Sequence, residues 1–169
     1  MIDVVLVDES DNIVGYKEKY AIHHIPVPLH RAISVIIFDS SGTKMLLQQR
    51  NADKPTWPLY WSNACCTHPH KDESYLDCAT RRLKEEMGFE TKLTEKHRFT
   101  YEADYDEIWG EHEYDVVFVG EYDGEIKSDP QEVADWKWID IKELYEDIKR
   151  HPDIYTPWFK IILQKTNGV

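Results

Sequence analysis

The order of apolar and polar positions predicts several strands, interrupted by one helix and closed by two more. Strands are predicted where β-branched and aromatic residues alternate with polar ones or run together between turn residues. The predicted strands are Ile2 to Asp8, Ile13 to Tyr16, Ala32 to Phe38, Lys44 to Gln49, Glu111 to Tyr122 and Trp136 to Ile139. The nearly continuous apolar run from Ala32 to Phe38 is typical of a strand buried on both faces.

Three segments have the helical period instead. They are Ser74 to Met87, Ile141 to Ile148 and Pro157 to Gln164. In the first segment the apolar side chains recur on one stripe, and Gly88 follows where a helix-terminating glycine is expected. The stripe consists of Leu76, Ala79, Leu83 and Met87. Because no linker or repeat divides these elements, we expect one mixed α/β domain over residues 1–169.

Composition narrows the classes of function. The net charge of -12 argues against nucleic acid, since a phosphate backbone requires a basic surface. The chain has no apolar run of about 18 residues and no apolar segment behind a basic N-terminus, so we expect neither a membrane span nor a secretory signal. Three cysteines, two of them adjacent, make a poor disulfide framework and favour a reduced, cytoplasmic setting. We expect a monomer.

The first predicted helix and its preceding loop carry a pattern of acidic and basic residues. Glu73, Arg81, Glu85, Glu86 and Gly88 match E-x7-R-x3-E-E-x-G, which is most of the Nudix box. Carboxylates at the end of one helix, with one from the preceding loop, can bind a divalent metal against a diphosphate. The alternative is a solvated helix laced by Arg–Glu pairs.

Two departures from the box change its interpretation. Thr67 stands where the box begins with glycine, and Arg82 stands where the box has its second glutamate. The loss of that glutamate argues against metal-assisted hydrolysis. A cation at position 82 can instead hold phosphate oxygens.

Histidines and a pair of glutamates offer a second metal site. Neutral imidazoles at His23, His30 and His68 would suit Mn, Zn or Fe(II) if they converge, and the alternative is three unrelated histidines. Glu111 and Glu113 lie two apart in a strand pattern and project to one face. Two negative charges at such a short distance repel each other unless a cation or a proton lies between them. Their alternative is a solvated edge strand.

Cysteines and aromatic residues are the remaining candidates. Cys65 and Cys66 are either a buried apolar pair or include one acid/base group, whose pKa His68 or a nearby metal would shift. Four aromatic side chains either belong to the core or offer a face to a developing cation in a pocket. They are Trp57, Trp61, Tyr101 and Trp158.

Taken in order, these motifs closely resemble the type I isopentenyl-diphosphate Δ-isomerases, a metal-dependent family of the Nudix superfamily. The resemblance extends from Glu18 to Trp158. Its matching pieces are His23, Leu29-His30, Ser62-Asn63-x-x-Cys66-x-His68-Pro69, Arg81-Arg82-x4-Met87-Gly88 and Glu111-x-Glu113. It implies an α/β fold, a Nudix-like α/β/α sandwich with a mixed sheet.

The resemblance also implies metal ligands. One divalent ion, Mn²⁺ or Zn²⁺, would be held by His23, His30, His68, Glu111 and Glu113. Glu86 would hold a Mg²⁺ that bridges to the substrate diphosphate, with the main-chain carbonyl of Cys66 as a further ligand.

By the same resemblance, the protein would convert isopentenyl diphosphate to dimethylallyl diphosphate through a tertiary carbocation. Cys66 would be the catalytic thiol and Glu113 the second acid/base group, with Tyr101 beside it. Trp158 would close the pocket over the hydrocarbon end. The diphosphate would be clamped by Lys19, Arg50, Lys54 and Arg82. The alternatives are a Nudix hydrolase of a nucleoside or isoprenoid diphosphate, and a catalytically silent Nudix domain that binds a diphosphate.

Overall fold

Nine strands and four α-helices make up residues 3–166, the part of the chain that this computed structural model describes. The strands are β1 Asp3–Val7, β2 Ile13–Glu18, β3 His30–Phe38, β4 Lys44–Arg50, β5 Trp61–Ser62, β6 Cys65–Thr67, β7 Thr94–Asp104, β8 Gly110–Glu121 and β9 Val133–Asp140. The helices are α1 Lys19–Ile22, α2 Tyr75–Met87, α3 Ile141–Arg150 and α4 Pro157–Thr166, and a 3-10 turn covers Pro152–Ile154. Ile2 of the first predicted strand lies outside the described residues, as do both ends of the predicted 1–169 domain.

Strand β3 is the centre of the sheet, and its predicted burial on both faces is confirmed. It pairs in parallel with β8 along its whole length, beginning with His30 opposite Glu113. It pairs antiparallel with β6, where Ser34 lies opposite Cys66. The strands that carry Cys66 and Glu113 therefore both lie against β3.

Helices cover both faces of this mixed sheet, which confirms the predicted α/β/α sandwich. Leu83 and Met87 of α2 pack in one core cluster with Val35 of β3. Phe159 of α4 packs in the other cluster with Ile36, the next residue along β3. Successive residues of a strand thus face different layers, as the strand period requires. No helix among residues 3–166 has the length and apolar character needed to cross a bilayer.

Strand β4 separates from β3 soon after the turn that joins them. The carboxylate of Asp39 accepts hydrogen bonds from the backbone N–H groups of Thr43 (2.9 Å) and Lys44 (2.8 Å), which stabilises the turn between the two strands. Beyond it β3 and β4 share one pair, Phe38 with Met45, and β4 pairs along its length with β9. The end of β4 is then free to carry Arg50 into the pocket described below.

Helix α2 begins and ends where the sequence predicts. The hydroxyl of Ser74 accepts from the backbone N–H of Asp77 (3.1 Å), and Gly88 ends the helix in the left-handed conformation (φ 80°). The placement of Leu76 on the buried stripe is wrong, because Leu76 is 46% exposed and Cys78 is buried. Leu76 lies in the first turn of the helix, beside an open surface groove and away from the core.

Replacing Gly88 by alanine is expected to lower the free energy of unfolding by about 3 kcal/mol. A Cβ atom at this position would meet the carbonyl oxygen of Lys127 at 2.4 Å, in addition to the left-handed strain. Gly42→Ala is the matched control, since Gly42 has a similar φ (67°) with nothing within 4 Å, and should lose about 1 kcal/mol. Urea denaturation measures both losses, and equal losses would contradict the steric account.

Candidate active site and metal centre

Most residues predicted for the site line one pocket of about 340 Å³. Its cationic residues are Lys19, Arg50, Lys54 and Arg82. Its other predicted members are His23, Cys66, His68, Tyr101, Glu111, Glu113 and Trp158. The remaining two predicted site residues, His30 and Glu86, are buried and do not line the pocket.

All five residues predicted to bind the divalent ion come together. His23, His30, His68 and Glu111 each offer one atom, and these four atoms lie within 4.8 Å of one another. Glu113 adjoins this group, because its Oε1 lies 2.9 Å from Nε2 of His68 and 3.8 Å from Nε2 of His30. The five side chains come from the end of α1, the start of β3, the residue after β6, and β8.

The buried donor atoms of this cluster fit a divalent metal. His23 Nδ1, His30 Nε2 and Glu111 Oε2 are buried without a hydrogen-bond partner among the described residues, although the first and last lie only 3.0 Å apart. Buried polar atoms normally have partners, since leaving them unpaired is costly. A first-row divalent ion would satisfy their lone pairs, and imidazole with carboxylate suits Mn²⁺ or Zn²⁺.

A hydrogen bond and burial keep two of the histidines in the neutral form that can bind a metal ion. Nδ1 of His30 lies 2.8 Å from the carbonyl oxygen of Pro28, so Nδ1 is assigned the proton and donates it, and the lone pair of Nε2 faces the cluster. Burial lowers the pKa of His30 to about 4 and lowers the pKa of His68 well below its usual range. Both imidazoles are therefore neutral near pH 7.

Glu113 also faces a phenol. The paired strands β7 and β8 place Tyr101 opposite Glu113, and the Tyr101 hydroxyl donates to Oε2 of Glu113 at 2.6 Å. Burial raises the pKa of Glu113 well above its usual range, and neighbouring Glu111 and Asp115 raise it further. Burial also raises the pKa of Tyr101, so the phenol keeps its proton and remains the donor.

The two adjacent cysteines face different layers. Cys65 is fully buried in the core cluster beneath α2, with Cys78 and Leu83, as expected of an apolar pair member. Cys66 lines the pocket. Burial raises the pKa of the Cys66 thiol to about 12, with Arg50 acting in the opposite direction, so the thiol is protonated near neutral pH.

Asp115 is a buried residue that the sequence analysis missed. Its Oδ2 accepts from the hydroxyl of Ser34 at 2.8 Å, and its Oδ1 has no partner among the described residues. Burial raises the pKa of Asp115 to about 7. The sequence held a signal, because Asp115 continues the two-residue spacing of Glu111 and Glu113 and so projects to the same face of β8.

The four predicted phosphate-binding cations differ in their partners. Arg50 donates from Nε and Nη2 to the carbonyl oxygens of Trp57 (3.1 Å) and Thr56 (2.9 Å). Burial lowers the pKa of Lys19, and the nearby Arg82 and Lys54 lower it further. This last effect shows how closely the positive charges are gathered.

Comparisons with known proteins agree with this geometry. The family model described as NUDIX domain matches residues 28–159. A crystal structure of a Deinococcus radiodurans protein superposes with a TM-score of 0.78 at 16% identity, covering 96% of this chain and 98% of that chain. The MutT protein of Methanosarcina mazei gives 0.69 at 16% identity, covering 83% of this chain and 94% of that chain. These structural likenesses show the Nudix fold.

Comparison with curated sequences identifies the family within this fold. "Isopentenyl-diphosphate Delta-isomerase 2" of Aromatoleum aromaticum is 43% identical over 162 residues, which cover 96% of this chain and 85% of the relative. "Isopentenyl-diphosphate Delta-isomerase" of Serratia proteamaculans is 42% identical over 161 residues, covering 95% of this chain and 89% of the relative. The chain belongs to the isopentenyl-diphosphate Delta-isomerase family. The resemblance inferred from the motifs is thereby confirmed.

In this isopentenyl-diphosphate Delta-isomerase family member, part of the Nudix box forms ion pairs outside the pocket. Arg81 binds both carboxylate oxygens of Glu73, from Nε at 2.6 Å and from Nη2 at 2.8 Å. Partial burial alone would raise the pKa of Glu73, but these bonds lower it to about 2. Neither residue lines the pocket. This pair ties the loop before α2 to the helix, whereas the alternative of Arg–Glu pairs along the helix fits Arg81 with Glu85, whose Nη1 and Oε2 lie 3.2 Å apart.

Glu86 has its carboxylate engaged by the protein. Its Oε1 accepts from Nη2 of Arg82 at 2.6 Å, and its Oε2 accepts from Nε2 of Gln48 at 2.9 Å. Gln48, a residue that the sequence analysis missed, also donates to the carbonyl oxygen of Ala64 (3.0 Å). A Mg²⁺ at Glu86 would share a carboxylate that already accepts from Arg82 and Gln48. The predicted Mg²⁺ ligation by Glu86 and the Cys66 carbonyl stays a prediction.

The four candidate aromatics separate into two groups. Tyr101 and Trp158 line the pocket, whereas Trp57 is buried and packs perpendicular to Trp158 at 5.3 Å between ring centroids. Trp61 does not line the pocket, and the ammonium of Lys137 lies 4.2 Å from its ring centroid. The Trp158 indole N–H donates to the hydroxyl of Ser62 at 3.0 Å, which fixes the ring in the wall.

Proposed function

We propose that this protein converts isopentenyl diphosphate to dimethylallyl diphosphate, a step of isoprenoid biosynthesis. The relatives that carry the isomerase name support the proposal over nearly the whole chain. The observation that carries it is the composition of the pocket. Cys66 and Glu113, two groups able to transfer protons, line the same pocket as four cationic side chains suited to a diphosphate.

The reaction explains why both kinds of group are needed. Moving the double bond from C3–C4 to C2–C3 requires a proton to be added at C4 and another to be removed from C2. Protonation of the alkene gives a tertiary carbocation that water would trap, so the pocket has to exclude water. We propose that Cys66 and Glu113 perform the two proton transfers, with Tyr101 orienting the Glu113 carboxyl. Positioned groups of this kind contribute roughly 10²–10⁴-fold.

We propose Mn²⁺ or Zn²⁺ for the cluster of His23, His30, His68, Glu111 and Glu113. A divalent ion there would offset the charge of the buried carboxylates and favour the ionised form of Glu113. We propose Mg²⁺ for the substrate diphosphate, at Glu86 and the Cys66 carbonyl. The diphosphate oxygens would be bound by Lys19, Arg50, Lys54 and Arg82.

Replacing Trp158 by leucine is expected to lower kcat about 30-fold with a smaller change in KM. The indole ring offers a π face to the developing cation, an attraction of about 2 kcal/mol in a desolvated site. Trp61→Leu is the matched control because Trp61 does not line the pocket, and its kcat should stay within about twofold of wild type. Steady-state kinetics decides the matter, and equal kcat losses in the two variants would rule out this role for Trp158.

One product assay separates this function from its alternatives. The protein is incubated with isopentenyl diphosphate, Mg²⁺ and Mn²⁺, and the mixture is followed by ³¹P and ¹H NMR. We expect dimethylallyl diphosphate with its diphosphate intact. Free phosphate would instead indicate a Nudix hydrolase, which Arg82 in place of a box glutamate argues against. An unchanged substrate would indicate a domain that only binds diphosphates.

We propose a cytoplasmic location and a monomeric state. Cys65, Cys66 and Cys78, all of the cysteines in the chain, are free thiols. A reduced compartment suits this arrangement.

A further inference from the structure

Glu132 places a carboxylate among the cations of the pocket, a position for which the sequence offered no signal. It lines the pocket with its side chain 27% exposed. Its Oε2 accepts a hydrogen bond from the ammonium of Lys54, and its Oε1 lies 3.2 Å from Nη2 of Arg82. One acidic side chain thus pairs with two of the four proposed phosphate-binding residues.

The backbone holds Glu132 in this position. The N–H of Glu132 donates to the carbonyl of Asp129 (3.0 Å), and its carbonyl accepts from the N–H of Asn51 (3.0 Å). The N–H of Asp129 in turn donates to the carbonyl of Glu86 at 2.9 Å, at the end of α2. Glu132 is therefore tied both to the helix that carries Arg82 and to the loop that carries Lys54.

Each nitrogen of the Arg82 guanidinium contacts a carboxylate, so a phosphate would compete with these carboxylates for its charge. Its Nε lies 3.1 Å and its Nη2 2.6 Å from Oε1 of Glu86, and its Nη1 lies 2.8 Å from Oε2 of Glu85. Glu132, which also contacts Nη2, is the third carboxylate around Arg82. A diphosphate can form a bidentate hydrogen bond with this guanidinium only if it displaces one of the carboxylates. Of the three, Glu132 is the one that lines the pocket and has the longest contact.

Lys19 and Arg50 differ in this respect. Over residues 3–166, neither forms an ion pair with a carboxylate. The hydrogen bonds of Arg50 go to carbonyl oxygens, which carry no net charge, and its guanidinium lies 5.3 Å from the ring centroid of Trp158. Two of the four cations are thus available to a diphosphate, and two are held by Glu132.

We infer that Glu132 is an internal counter-ion that competes with the substrate diphosphate for Lys54 and Arg82 and so sets the affinity of the pocket for diphosphates. The inference rests on the proposed function, in which these cations bind the substrate. Substrate and product carry the same diphosphate, so the competition weakens the binding of both. Weaker uniform binding raises KM and lets the product leave.

Direct titration with inorganic diphosphate in the presence of Mg²⁺ tests the competition. Glu132→Gln keeps the size of the side chain and removes its charge, and it should bind diphosphate about three- to tenfold more tightly than wild type. Glu146→Gln is the matched control, since Glu146 also pairs with a lysine (Lys149, 2.8 Å) but lies outside the pocket. Its affinity should stay within about twofold of wild type.

Kinetics with isopentenyl diphosphate provides a second readout. Glu132→Gln should lower KM by a similar factor without raising kcat, a change that mere damage to the fold would not produce. Unchanged or weaker diphosphate binding by a Glu132→Gln variant with a cooperative thermal transition would overturn the inference. If that variant does not fold, Glu132→Asp, which draws the carboxylate back by one methylene, should bind about twofold more tightly, and no tightening would overturn it.

The proposed function can fail separately. A wild-type protein that does not isomerise isopentenyl diphosphate would contradict that function, whereas the titration with inorganic diphosphate would still decide the role of Glu132.

Discussion

Cys66→Ala is expected to lower kcat by about 10²–10⁴-fold or more, because it removes one of the two proton-transfer groups that the reaction needs. The rest of the pocket should be preserved, because the substitution removes only the thiol and leaves the metal-site residues and the cationic side chains in place. Binding of inorganic diphosphate should therefore remain within about threefold of wild type. Initial rates of dimethylallyl diphosphate formation, measured at saturating substrate, give the size of the loss.

Cys65→Ala is the control for this prediction. The neighbouring thiol lies in the core beneath α2 and outside the pocket, so its loss should cost about 1 kcal/mol of stability and leave kcat within about threefold. Equal losses of kcat in the two variants would show that the strand β6 does not divide the cysteines as described.

Removing divalent metal with a chelator is expected to abolish isomerisation and to lower Tm by about 5–10 °C. Without the ion, buried donor atoms of His23, His30 and Glu111 lack partners, and burial together with the neighbouring Glu111 disfavours the ionised form of Glu113. A ligand at about 100 times its Kd contributes about 2.7 kcal/mol. In a chain of this size each kcal/mol corresponds to about 2–4 °C. Calorimetry and rate assays, before and after Mn²⁺ or Zn²⁺ is restored, measure both effects.

Two variants locate this metal response. His30→Ala removes a fully buried member of the cluster and should eliminate the change in Tm on metal addition. His151→Ala removes a half-exposed histidine that pairs with Asp147 outside the cluster, and should retain the response. Full activity in protein shown by elemental analysis to be metal-free would refute the proposed metal centre.

The parts of the fold with strong local patterns could be predicted from the sequence. Helix α2 has an N-cap serine, an apolar stripe and a terminal glycine, and its bounds are confirmed. Strand β7, Thr94–Asp104, was missed because few of its residues are buried, Phe99 and Tyr101 among them, and the rest are mostly polar. The apolar alternation covers only Phe99, Tyr101 and Ala103, and the first five residues of the strand, Thr94 to Arg98, are polar.

The site could be predicted only in part, for a physical reason. The order of His23, His30, His68, Glu111 and Glu113 identified the cluster through a family resemblance, because residues on separate strands show no mutual spacing. Asp115 could have been predicted from the sequence, because it continues the two-residue spacing of Glu111 and Glu113 along one strand. The position of Glu132 could not be predicted in this way, since it depends on backbone hydrogen bonds that join its loop to the end of α2.

The fate of solvent protons tests the central claim most directly. The wild-type protein is incubated with isopentenyl diphosphate and divalent metal in D₂O, and the product is examined by ²H and ¹H NMR. Thiol and carboxyl protons exchange with solvent, so we predict dimethylallyl diphosphate with deuterium in the methyl group derived from C4. Cys66→Ala should form this product at least about 10²-fold more slowly. Product without deuterium, or release of free phosphate, would contradict isomerisation by the Cys66 and Glu113 pair.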